Sequence, residues 1–158
     1  MNKIDVETKE VEPPSWVSNL PSFTTALLRA LDIKNWELSV ILCNDNTIQE
    51  LNRRWRDIDS PTDVLTFSQI ESADSDESGF IPPSPDGLIY AGDIIISLET
   101  LSRQAETFSV PEEEELKRLI IHGVLHLSGY NHPSNQPEEP MLTLQEQLLH
   151  TFSEVPLF

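Results

Sequence analysis

Cysteine is almost absent. Cys43 is the single one in 158 residues, so no intramolecular disulfide can form and a cysteine-based zinc site is excluded. A lone thiol in an otherwise ordinary chain fits a reducing cytosol. Long apolar runs are missing as well. The first dozen residues carry acids throughout, and no stretch has the makings of a signal peptide or a membrane span. The expectation is a soluble, cytoplasmic protein with no membrane partner. Cations are scarce, at 10 Lys and Arg against 27 Asp and Glu, for a formal net charge of -17. That balance opposes non-specific attraction to nucleic-acid phosphates, and no DNA ligand is expected. The charge is unevenly placed, however. Arg53, Arg54 and Arg56 cluster, whereas acids gather at 71–77, 112–115 and 138–139.

A hydrophobic content of 38% suits one globular domain spanning residues 1–158. Phe23, Ala26, Leu27 and Ala30 recur at helical spacing and predict a helix over 22–31. Trp36, Leu38, Val40 and Leu42 alternate with Glu37, Ser39 and Ile41, the pattern of a half-buried strand over 36–43. Asn44, Asp45 and Asn46 are cap formers, and Ile48, Leu51 and Trp55 follow at three- and four-residue steps, predicting a helix that ends near Arg56. A short strand is expected over 64–67. Residues 68–87 are rich in Ser, Asp, Glu and Pro, the composition of a flexible acidic insertion. A strand over 89–96 follows, with Gly92 marking a bulge, and then helices over 97–108, up to Leu127, and over 138–151. For the middle one, Ser109 and Glu112 have capping-box spacing, Pro111 suits the first turn and Gly129 is a stop signal. There is no internal repeat. The order predicts an α+β fold in which a small mixed sheet packs against several helices.

Histidine is also rare, yet three of the 4 lie between positions 122 and 132. Residues 119–127 read Leu-Ile-Ile-His-Gly-Val-Leu-His-Leu, apolar all round apart from the two imidazoles, which is the mark of a buried helix. His122 and His126 are four apart and stack on one face. Gly129 lets the chain turn back so that His132 can supply a third nitrogen. Taken singly, each would read as a core histidine bonded to a local partner. Taken together, three imidazoles in one apolar pocket are costly to bury, and one metal ion satisfies all three. Neutral nitrogen ligands favour Zn²⁺ over Mg²⁺ or Ca²⁺. Three protein ligands leave a fourth position open, as in catalytic zinc sites, where bound water has a pKa near ~7. Hydrolysis is the reaction class this suggests.

The frame His-x-x-x-His-x-x-Gly-x-x-His overlaps that of the metzincin peptidases, giving the helix a zincin-like character. Those enzymes place a glutamate directly after the first histidine as general base. Here that position is Gly123, which cannot take a proton. A zinc peptidase therefore stands as an alternative without its central catalyst.

His122-Gly-Val-Leu-His126-Leu-Ser-Gly-Tyr-Asn-His132 resembles another signature, that of the YbeY endoribonucleases, His-Gly-x-Leu-His-Leu-x-Gly-Tyr-Asp-His. Leu51-Asn52, Trp55-Arg56, Asp59 and the run from Pro61 to Phe67 resemble further blocks of that family, as does Gly92-Asp93-Ile94. The resemblance runs from about Trp36 to Leu149 and is weaker before Leu20 and within the acidic insertion. It implies a single-strand-specific, zinc-dependent endoribonuclease in maturation of the 16S ribosomal RNA 3′ end and in ribosome quality control. Its implied partners are ribosomal RNA and the ribosome or small-subunit proteins. It further implies that His122, His126 and His132 bind one Zn²⁺ and that Arg56 is catalytic. A guanidinium suits that role because it can grip a phosphodiester bidentately and stabilise charge on its oxygens. Pairing with its own helix C-terminus is the structural alternative for Arg56, and solvated surface charge is the expectation for Arg53 and Arg54. Asn131 stands where the family usually has Asp, and Thr66 where it usually has Ser. Asp63 and Asp93 fit the orienting of a ligand imidazole, service as a base, or the capping of a turn or strand end. A non-catalytic ribosome assembly factor with a structural zinc is the remaining alternative.

Overall fold

A computed structural model describes residues 1–69, 85–132 and 134–158. Four strands form one mixed sheet: β1 (Lys3–Thr8), β2 (Trp36–Cys43), β3 (Val64–Ser68) and β4 (Ile89–Ser97), in the order β1-β2-β4-β3. β1 and β4 each run parallel to β2, and β3 runs antiparallel to β4 along the edge. The helices among the described residues are α1 (Leu20–Ala30), α2 (Asp45–Arg56), α3 (Leu98–Phe108), α4 (Glu112–Leu127) and α5 (Pro140–Thr151), with a 3₁₀ turn at Val17–Asn19 before α1. None of the described helices is long and apolar enough to cross a membrane. The expected insertion falls mostly on 70–84, outside the described residues.

The period-two pattern of β2 decides the layering. Leu38, Val40 and Leu42 join Ile94 and Ile96 in a core with α1, α4 and α5. The opposite face carries Ile41 and Cys43, which pack with Ile48 of α2 and with Leu65 and Ile95. Each buried aliphatic side chain contributes about 1.5–3 kcal/mol of transfer free energy. α4 alone buries Leu116, Leu119, Ile120, Ile121, Val124, Leu125 and Leu127, so the helix that carries His122 and His126 is the most deeply anchored of the described helices. It buries a cation too. Lys117 Nζ donates to the carbonyls of Phe152, Ser153 and Val155 at 3.0, 3.3 and 2.6 Å and meets Glu113 at 3.3 Å. All three donors of the ammonium are occupied, which makes its burial tolerable and pins the end of α5 to α4.

Two sequence expectations need correcting. No initial strand was expected, yet β1 exists: Ile4 and Val6 are half-buried against the core while Lys3, Asp5 and Glu7 stay in water. The capping box of Ser109 and Glu112 does not form. Ser109 has φ 56° and closes α3 as its left-handed cap, so α4 starts from Pro111 with no side-chain cap. Glu112 accepts a hydrogen bond from Ser102 of α3 instead, at 2.6 Å. The bulge near Gly92 is present, since Glu37 pairs with Tyr90 while Leu38 pairs with Gly92, leaving Ala91 as the extra residue. Only glycine fits at 92, because a Cβ there would lie 2.1 Å from the Phe67 carbonyl oxygen.

Candidate metal centre

His122 and His126 lie one turn apart near the C-terminus of α4. The helix ends in a double backbone reversal, with Gly129 N–H donating to the His126 carbonyl and Tyr130 N–H to the Leu125 carbonyl, both at 3.0 Å. Gly129 supplies the left-handed φ of 101° that this closure requires. The chain then doubles back and brings His132 over the other two rings. Ring centroids are 4.6 Å apart for His122 and His126, and 5.2 Å for each pair with His132. One nitrogen from each of the three lies within 4.8 Å of the others.

These separations suit a metal ion. Zinc–nitrogen bonds of about 2.0–2.1 Å place tetrahedral ligand atoms roughly 3.3 Å from each other. His122 Nε2 and His126 Nε2 are already 3.1 Å apart, so a small inward shift of His132 completes the set. The protonation states fit as well. Burial pushes the His126 imidazole down to about 4, helped by the neighbouring His122 and His132 and by the charge of Arg56, and opposed by a backbone hydrogen bond to Tyr130. Burial also lowers His122, against the bond it makes to Gln145. Neutral imidazole is the form that binds metal.

The Nδ1 atoms of His122 and His132 are occupied. His122 Nδ1–H donates to Gln145 Oε1 at 2.7 Å, which turns Nε2 toward the centre. Gln145 is buried on α5 and donates in turn to Glu146 at 3.1 Å. Glu146 accepts from Arg118, which donates to Glu115 on the far side at 2.7 Å. His132 Nδ1–H likewise donates to the Ser134 carbonyl at 3.2 Å. Such partners fix ring orientation and tautomer at metal sites.

The rings border a cleft of about 720 Å³ whose lining includes His122, His126, Arg56, Tyr130 and Asn131. Arg56 reaches it from the end of α2. Its Nη2 donates to the Thr66 carbonyl at 2.7 Å, and its guanidinium lies 5.3 Å from the Phe67 ring centroid. One bond of five donors is thus committed, and the rest can meet an anion. Arg53 and Arg54 are separate from this. Both pair with Glu50, at 2.6 and 3.8 Å, on the exposed side of α2. Asp63 accepts from Thr62 and from the Val64 backbone, closing the start of β3. Asp93 accepts from the Tyr90 hydroxyl. Neither is hydrogen-bonded to an imidazole. Gln145 went unnoticed in the sequence because its contact crosses 23 positions and two helices, with no local pattern to betray it.

The peptidase frame fails on geometry as well as chemistry. A Cβ at Gly123 would meet Ile94 Cγ2 at 2.9 Å, so a side chain there would run into the buried sheet. The family model described as Endoribonuclease YbeY matches residues 3–153. The chain belongs to that family. Its match takes in β1, which the signature blocks alone did not reach. Among YbeY endoribonucleases, that of Treponema denticola is 44% identical over 159 residues, covering 99% of this chain and 97% of its own. That of Borreliella burgdorferi is 45% identical over 130 residues, covering 80% and 81%. A solution structure from Thermotoga maritima superimposes with a TM-score of 0.64 at 28% identity, covering 98% of this chain and 91% of that one.

Proposed function

We propose that the protein is a single-strand-specific, zinc-dependent endoribonuclease that acts in 16S ribosomal RNA 3′-end maturation and ribosome quality control. It works in the cytoplasm on ribosomal RNA, in contact with the ribosome or small-subunit proteins, with residues 1–158 as one catalytic domain. The observation that carries this reading is the convergence of three imidazole nitrogens within 4.8 Å beside the Arg56 cleft, in a chain of the YbeY endoribonuclease family.

His122, His126 and His132 would hold one Zn²⁺, which when bound would supply Lewis acidity toward a phosphoryl oxygen and lower the pKa of water. Arg56 is the catalytic side chain. Anchored on the Thr66 carbonyl, its guanidinium turns free N–H donors toward the scissile phosphate and stabilises the negative charge that grows there. Gln145 holds His122 in the tautomer that presents Nε2.

Chelation followed by add-back tests the reading. Chelator-treated protein should leave single-stranded RNA intact, and one equivalent of zinc should restore cutting, with duplex RNA and casein untouched throughout. RNA cleavage indifferent to chelation, or peptide hydrolysis in its place, would overturn it.

A further inference from the structure

Large apolar side chains stand in water around the metal cleft. Ile58 and Tyr130 line it and are 52% and 44% exposed, and Trp55, 64% exposed, immediately precedes Arg56. Trp55 has a partner, its ring edge-on to Phe67 with centroids 6.4 Å apart. Among the described residues, no hydrogen bond or ring contact engages the Tyr130 side chain. Its backbone, in contrast, is fixed by the 3.0 Å bond from its N–H to the Leu125 carbonyl. A ring that is 44% exposed and has no side-chain partner among the described residues therefore stands between His126 and His132 in the chain, at the wall of the cleft.

Exposed apolar side chains scattered singly are ordinary on a protein surface. The charge inventory sets this one apart. Arg56 is the one lysine or arginine among the described residues that line the cleft, on a chain of net charge -17. Arg53 and Arg54 are already paired with Glu50. One guanidinium and one metal ion can hold a single phosphate, so the flanking nucleotides need an attraction that is not ionic. An aromatic face provides it, since every base has a π-face and stacking strengthens single-strand binding by roughly tenfold or more per base.

We propose that Tyr130 is a base-stacking platform that takes the nucleobase next to the scissile phosphate in single-stranded RNA. The proposal rests on the endoribonuclease reading. A base can lie on this ring only after leaving its own helical stack, so the platform also supplies preference for single strands. It asks nothing of base identity.

The test uses the zinc-loaded full chain and RNA oligonucleotides carrying one abasic ribose at successive positions. An abasic position beside the cut should raise KM about tenfold, and Tyr130→Ala should raise KM on intact RNA by the same factor with kcat within about threefold. Combining the two should cost no more than either alone. Tyr130→Phe should behave as wild type and Tyr130→Leu as Ala, all with full zinc content. Additive effects, a Phe variant as weak as Ala, or indifference to abasic sites would overturn the platform. Binding is measured separately by anisotropy in the zinc-loaded Arg56→Ala background. Abasic-sensitive binding that depends on Tyr130, in a protein whose wild type cuts no RNA, would keep the platform and remove the nuclease. Cleavage insensitive to abasic sites would do the reverse.

Discussion

At the scale of single residues, the site depends on what the ligands' second nitrogens touch. Gln145 is acceptor to His122 and donor to Glu146, so it passes orientation from the Arg118 cluster to the His122 ring of the candidate metal centre. Gln145→Leu leaves a buried N–H unsatisfied and frees the ring. We expect zinc affinity to fall about 10- to 100-fold, measured by chelator competition, while the tertiary fold persists; a change below twofold would remove Gln145 from the site. The cluster of His122, His126 and His132 was legible in the sequence because helical spacing and one terminating glycine bring them together locally. Gln145 was not, because only the packing of α5 on α4 creates its contact. Asp63 and Asp93 were equally ambiguous in the sequence, and the structure gives them to Val64 and Tyr90.

At the scale of elements, the ends of α2 and α3 are clasped together. Asp45 accepts from the Ser97 hydroxyl and the Thr100 hydroxyl at 2.6 Å and from Arg103 at 2.7 Å, while its own backbone N–H donates to Glu99 at 2.8 Å. Burial pulls the Asp45 carboxyl upward, but these hydrogen bonds outweigh it and hold the group below its ordinary value. A carboxyl lowered in the folded state contributes stability above its unfolded pKa, near ~3.9, and loses it as pH falls through the lower, folded value. Asp45→Asn should therefore destabilise the protein at pH 7 by about 1–2 kcal/mol. Denaturant titrations should then converge with wild type in strong acid, and an equal gap at all pH values would contradict the clasp. Cap residues such as Asn44 were readable because their partner Thr47 is three residues away. The clasp spans more than fifty positions and was not. Likewise β1 escaped notice because Ile4 and Val6 are its half-buried pair among acids, a pattern too short to rise above the polar background. Ser109 misled because one residue cannot close α3 in a left-handed conformation and also stand next to α4 as its cap.

At the scale of the whole molecule, an acidic protein handles an anionic polymer. Where few cations meet phosphate, few counterions are released on binding. With one guanidinium in the cleft, log K against log salt for single-stranded RNA should have a slope of about -0.7 to -1.5, corresponding to one or two neutralised phosphates. A slope steeper than about -4 would mean that RNA engages cations well beyond the Arg56 cleft. Strands β2, β3 and β4 and the five described helices followed from hydrophobic period and turn chemistry, whereas β1 did not; the substrate needed the signature blocks and family membership. The central claim, that three histidines hold the metal and Arg56 acts on the phosphate, is tested most directly by measuring zinc content and RNA cleavage together in His126→Ala and Arg56→Ala. His126→Ala should lose both. Arg56→Ala should keep one zinc per chain and lose at least about a hundredfold in cleavage rate. Full metal and full activity in His126→Ala, or unchanged activity in Arg56→Ala, would contradict the account.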